Sequence, residues 1–127
     1  MNASANRRLL RILIQVGFAL AIVVTIWFSL VPASQVPGAT RVSDLVSHFF
    51  GYATLGFLSV GSGLRWRTGF IVVFALGVLL EVLQSFVGYR YFEIKDIVAN
   101  GLGAAAGVGV GFIMVAKLFT TYRYPRR

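Results

Sequence analysis

The 127-residue sequence contains no cysteine, four acidic residues and one histidine. Without cysteine there is no disulfide, no thiolate metal site and no cysteine nucleophile. Charge of either sign is scarce. Asp, Glu, Lys and Arg make up 13% of the chain and 57% is hydrophobic, whereas soluble domains are about a quarter charged. So few polar groups cannot cover a soluble protein of this size, and the mean hydropathy of +0.80 agrees. The chain is read as an integral membrane protein. Its net charge of +8 raises the question of nucleic acid. The basic residues cluster beside hydrophobic segments, however, where topology signals sit. No nucleic-acid partner, metal or other cofactor is expected.

What the sequence does have is apolar runs of spanning length. A transmembrane helix needs roughly 20 predominantly apolar residues. Residues 12–31, 45–64 and 97–116 hold no formal charge, and 68–89 holds only Glu81. The expected fold is all-α: a four-transmembrane-helix bundle forming one integral membrane domain over 1–127, with helices about 9–31, 44–64, 68–88 and 96–118. A cleaved signal peptide ending near "VPA" is the rival reading of the first run. That run is longer than the roughly 7–15 apolar residues of a signal peptide, so it is retained as a helix.

The connections are short. "PASQVPGATRVS" (32–43) has two prolines and a glycine and reads as a loop. "RWR" (65–67) reads as a tight turn, and "YRYFEIK" (89–95) as an aromatic, charged loop at a membrane surface. The tail "TTYRYPRR" is expected on the headgroups. Basic residues orient the bundle. Arg7, Arg8, Arg11, Arg65, Arg67, Lys117, Arg123, Arg126 and Arg127 fall on one side, against Arg41, Arg90 and Lys95 on the other. The expectation is a multi-pass protein of the bacterial inner (cytoplasmic) membrane with both termini cytoplasmic.

This orientation gathers the polar residues at the outer end. Asp44 opens helix 2, with His48 and Tyr52 following at four-residue steps on one face. Glu81, Gln84 and Ser85 share a face of helix 3, and counting back from Tyr89 puts Glu81 roughly 12 Å below the surface. Asp96 and Asn100 open helix 4. Polar groups within a membrane normally face the bundle interior or a wet cavity, because lipid cannot solvate them. Three polar stripes at one depth imply a shared outward-facing cavity, with Arg90 as the countercharge of Glu81. Each residue also has a plainer use. Asp44 and Asp96 suit helix N-termini, and Gln84 and Asn100 suit interhelical hydrogen bonds.

"GLGAAAGVGVG" (101–111) sets Gly103, Gly107 and Gly111 at four-residue spacing, which lets helix backbones approach closely. Packing within the chain is one use of that face, and a homo-oligomer seam is another. A further pattern is an internal echo: "DLVSHFFG" (44–51) aligns with "DIVANGLG" (96–103) without gaps. It suggests two parallel helical hairpins related by a pseudo-twofold axis along the membrane normal.

Together "DLVSH", "EVLQSFVGYR" and "DIVANGLGAAAG" resemble the VanZ-like family over about residues 44–107. That pattern runs Asp then His opening one helix, Glu-x-x-Gln on the next, then Arg, Asp and Asn leading into a Gly-rich helix. The resemblance implies that Asp44, His48, Glu81, Gln84, Arg90, Asp96 and Asn100 are signature positions. Leu45 stands where the family often has Lys, and "VGY" where Pro often precedes the Arg. The family takes its name from a protein associated with teicoplanin resistance, so the resemblance implies a link to glycopeptide antibiotics or envelope homeostasis and supplies no reaction.

Three functions follow. The favoured one is binding of a lipid-linked or amphiphilic envelope molecule, such as a cell-wall precursor, with Gln84, Ser85, Arg90, Asp96, Asn100 and Tyr52 holding its head and membrane lipids around it. The second is an intramembrane hydrolase or transferase in which Glu81, His48 and Asp44 carry catalysis and Ser85 or water is the nucleophile. The third is a structural or assembly subunit.

Overall fold

The computed structural model describes residues 3–35 and 44–123, without the side chains of 33 and 118–123. Arg41, Arg126 and Arg127 of the charge count, and most of the proline-containing loop, lie outside the described residues. The described chain is all-helical. Helix α1 spans Ala3–Leu30, α2 Asp44–Gly61, α3 Trp66–Gln84 and α4 Ile94–Arg123. A single 3-10 turn, Ala33–Gln35, follows α1.

Three helices are long and apolar enough to cross a membrane: Ser4–Leu30 within α1, Trp66–Gln84, and Ile94–Lys117 within α4. Helix α2, with 18 residues, is the shortest and carries Asp44, Ser47 and His48. It nonetheless runs alongside the others. Its C-terminal Gly61 lies against Ile14 of α1, and Gly63 beyond it lies against Arg11. Large apolar side chains such as Leu20, Ile71 and Leu102 are exposed around the bundle. A surface of this kind is solvated by lipid tails rather than water.

The helix ends differ from the sequence expectation for local reasons. Helix α2 stops at Gly61 rather than 64. Gly63 takes a φ of +106°, a left-handed conformation that glycine reaches without a Cβ clash. Gly63 N then donates to Val60 O and Leu64 N to Ser59 O, the paired bonds that close many helix C-termini. From α1, Arg11 Nε and Gln15 Nε2 donate to Ser62 O at 3.4 and 3.1 Å. The turn therefore precedes "RWR", whose Trp66 already begins α3. Helix α3 stops at Gln84 rather than 88, and the chain tightens through Phe86 N→Leu83 O, Val87 N→Gln84 O and Arg90 N→Val87 O. Glu81 consequently sits one turn from the end of α3. Helix α4 continues through Arg123, so the first half of the "TTYRYPRR" tail is helical.

Helices α2 and α4 form the central pair. Added Cβ atoms at Gly103 and Gly107 would run into the backbone oxygens of Phe49 and Ala53, and one at Gly56 would lie 2.5 Å from Ala104 O. Gly111 faces Phe57 and Val60 at 3.2 Å. These contacts advance along both helices together, so α2 and α4 run parallel in the register of the internal echo. The glycine face thus serves packing within the chain, against α2, because only glycine admits so close a backbone approach.

The hairpin relation holds for this inner pair and breaks in the outer one. Helix α3 packs on both α2 and α4, whereas α1 packs on α2 and α3 and makes no close approach to α4 among the described residues. Tyr52, Leu55, Val73 and Ala104 form the buried core, with Phe18, Ala21, Ile22, Phe70 and Leu76 against it. Helix α1 is thereby an integral part of the bundle.

Candidate functional site

The site lies where the N-terminal turns of α2 and α4 meet the C-terminal turn of α3. Helical spacing turns His48 and Tyr52 of α2 toward α3 and α4. Tyr52 is almost fully buried, and a Cβ at Gly77 would stand 2.9 Å from its ring and 3.1 Å from Asn100. Glycine at 77 therefore lets α3 close over both residues. The His48 and Tyr52 rings are nearly parallel, with centroids 6.4 Å apart.

His48 joins the helices. Its Nδ1 lies 2.8 Å from Asn100 Oδ1, which pairs the two echoed positions of the sequence with each other. Because an amide oxygen only accepts, Nδ1 carries a proton, and in the neutral tautomer Nε2 keeps its lone pair. Nε2 lies 3.8 Å from Asp96 Oδ2. Glu81, only 1% exposed, completes the group. Its Oε1 accepts from Glu93 N at 2.9 Å, tying α3 to the start of α4. One ligand-capable atom from each of His48, Glu81 and Asp96 lies within 4.8 Å of the others.

The cluster is incompletely satisfied. Glu81 Oε2, Asp96 Oδ1 and Asn100 Nδ2 are buried and have no hydrogen-bond partner. Native proteins pair most buried polar groups, and each exception calls for a cause. Within a membrane the cost of an unpaired carboxylate is higher still, on the order of 2.5–3.5 kcal/mol on insertion scales.

Of the residues singled out in the sequence, the fold brings together His48, Tyr52, Glu81, Asp96 and Asn100. Four others lie elsewhere. Arg90 is not the countercharge of Glu81. Its Nη2 points to Phe28 O at 3.5 Å, while its Nε is buried without a partner. Gln84 is buried on the Glu81 face, but its Nε2 donates to Ser29 O at 2.8 Å. With Tyr89 Oη on Leu30 O at 2.5 Å, these side chains satisfy the last carbonyls of α1, which have no partner within their own helix. Ser85 is exposed and its Oγ donates to Val82 O at 2.6 Å, although its backbone stays helical at the end of α3. That removes it as a nucleophile within the cluster. Asp44 is exposed at the rim. Its charge reaches Asp96 and Lys95, but Asn100 and Asp96 take the places beside His48 that Asp44 was expected to fill.

Two participants had no role in the sequence reading. Glu93 contributes its backbone N–H to Glu81, and its side chain pairs with Lys95 at 2.5 Å. Tyr89 caps α1. The polar loop "YRYFEIK" held the signal for both, but nothing in sequence spacing says which atom a loop presents.

The fold and the buried cluster define a class: a small helical membrane protein with an ionisable site between three helices. The VanZ/LLP1 family pattern matches residues 16–115, and the chain belongs to that family. It is also 34% identical over 94 residues to an uncharacterized protein of Schizosaccharomyces pombe. That match covers 69% of this chain and 56% of the relative, so the chain spans little more than half the relative's length. No solved structure matches the chain.

Proposed function

We propose that the protein binds the polar head of an amphiphilic, lipid-linked envelope molecule in the His48–Glu81–Asp96–Asn100 cluster. The observation carrying this reading is the convergence of buried, unpartnered Glu81 Oε2, Asp96 Oδ1 and Asn100 Nδ2. An incoming head with both donors and acceptors would pair them. Apolar surface is also available elsewhere on the same helix pair. There Phe50, Ala53, Phe57, Gly107 and Val110 line an apolar groove of about 300 Å³. In the proposed orientation the termini are cytoplasmic and the cluster faces outward, set by the basic residues at 7–11, 65–67 and 117. Such binding is the route by which the protein would alter envelope composition or the access of a glycopeptide antibiotic.

The test is retention of polyprenyl phosphate or phospholipid by the purified protein, read by native mass spectrometry. Saturable retention is expected in the wild type and in Ser85→Ala, with loss in Glu81→Gln and Asp96→Asn. Equal retention in all four would overturn the reading. Orientation is checked separately: the cysteine-free chain accepts single cysteines, and Tyr91→Cys should label from outside intact cells while Arg65→Cys should not.

A second reading, an intramembrane hydrolase or transferase, draws on His48 held between Asn100 and Asp96 with Nε2 free to take a proton. Water would then be the nucleophile, since Ser85 is turned away. Turnover of a phospholipid ester that disappears in His48→Gln, with lipid retention intact, would favour it over binding alone.

A further inference from the structure

We propose that His48 Nε2, Glu81 and Asp96 form a binding site for a divalent first-row metal ion. One histidine without a ligand-spacing motif makes a weak case in the sequence; the fold supplies the juxtaposition. Ligand atoms from α2, α3 and α4 come within 4.8 Å of one another.

Four features fit a cation. First, the donor set is one imidazole and two carboxylates, which suits Zn²⁺ or Mn²⁺. Second, the carboxylates are buried, with Glu81 at 1% and Asp96 at 7% exposure, and each keeps an unpartnered oxygen. Third, neither nearby cation forms an ion pair with Glu81 or Asp96 among the described residues. Arg90 Nη2 is on Phe28 O and Lys95 is on Glu93. The charges of two buried carboxylates would be matched by one divalent ion. Fourth, His48 Nδ1 is already held by Asn100 Oδ1 at 2.8 Å. Metal-bound histidines nearly always donate their second ring nitrogen in this way, which fixes the tautomer and aims the other nitrogen.

The distances are those of a site that contracts on loading. Bonds of about 2.0–2.2 Å at tetrahedral angles place donors roughly 3.4 Å apart. The His48–Asp96 separation of 3.8 Å is near that value, and rotation of the Glu81 carboxylate supplies the rest. Three protein ligands leave a coordination position open. A phosphate oxygen of the proposed amphiphile would fit it, so the metal supplies the charge that a carboxylate-rich site needs to hold an anion. That last step rests on the function proposed above, whereas metal binding does not.

The experiment uses the full-length protein in detergent, stripped with chelator and titrated with Zn²⁺, Mn²⁺ and Co²⁺, with Mg²⁺ as a comparison. Bound metal is measured by elemental analysis after gel filtration. The expected result is saturation near one ion per chain, with visible Co²⁺ bands of a low-coordinate site. Affinity should fall at least tenfold in Glu81→Gln, Asp96→Asn and His48→Gln, and stay unchanged in Ser85→Ala, whose hydroxyl is exposed and bonded to Val82 O. If a variant fails to fold, the wild-type Co²⁺ titration decides alone. A helical, monodisperse wild type without saturable uptake overturns the proposal, as does uptake unaffected in every folded ligand variant. Lipid retention is measured with and without chelator. Metal uptake without lipid retention would sink the amphiphile reading alone, and lipid retention with no metal uptake would sink the metal site alone.

Discussion

At Gly107, α2 and α4 touch backbone to backbone; at His48 the same two helices meet through hydrogen-bonding side chains. The first region is built from small residues. Gly56, Ala104, Gly103 and Gly107 bring the helices close enough that no added Cβ fits, and dispersion over that contact holds the pair. The second region is built from ionisable and amide groups, and leaves three cluster atoms unpaired. The close seam brings no chemistry of its own but fixes the register that brings His48 opposite Asn100. The polar end then carries its unsatisfied atoms on a scaffold held elsewhere. Close packing and the candidate site are in this way divided along one helix pair.

Substitutions that separate the two regions test this division. The largest effect is expected at the seam. Gly107→Leu would drive a side chain into the Ala53 carbonyl. Overpacking of this kind costs about 1–3 kcal/mol or more, and backbone-to-backbone contact places it at the upper end. Loss of monodisperse protein in detergent is expected. Gly109→Leu, two residues away with open space around it, should fold normally. If both behave alike, the seam does not carry the bundle.

A smaller effect is expected at the polar end. Glu81→Ala removes the acceptor of Glu93 N and should lower thermal stability by roughly 1–3 kcal/mol, the penalty of a buried donor left unpaired. Glu81→Gln keeps an amide oxygen for that bond and removes a buried charge, so its stability should match or exceed that of the wild type. A Glu81→Gln protein as unstable as Glu81→Ala would mean that the charge itself holds the fold. The smallest effect concerns the link between the helices. A double-mutant cycle with His48→Ala and Asn100→Ala should give a coupling of about 0.6 kcal/mol, the average for interhelical hydrogen bonds in a membrane. Zero coupling in thermal unfolding would show that their 2.8 Å contact does not join α2 to α4.

Much of the bundle was legible in the sequence because its signals are local. Runs of apolar residues place helices wherever lipid must solvate them, and three of the four meet the length and hydropathy of a span. Periodicity placed His48 with Tyr52 and Asp96 with Asn100, since each pair shares one helix face. The gapless match of 44–51 with 96–103 even anticipated the parallel α2–α4 register. Errors arose where the chain leaves a helix. Extending α3 to 88 overlooked the tightening of the chain after Gln84, and grouping Ser85 with Glu81 overlooked that Ser85 is exposed and bonded to Val82 O. Arg90 was assigned to Glu81 by charge and proximity in sequence, yet the free carbonyls at the end of α1 claim its Nη2.

The sequence by itself determined that this is a membrane bundle with scarce, clustered polar residues, because hydropathy and helical period act residue by residue. Only the tertiary structure decided which polar atoms meet. Glu81 finds a backbone N–H of the following loop, His48 finds Asn100 and Asp96 from another helix, and Gln84 and Arg90 turn to α1. Those pairings depend on helix register and on where each helix ends. Register is fixed by close packing at glycine, and the end of α2 by the left-handed Gly63, rather than by the polar residues themselves.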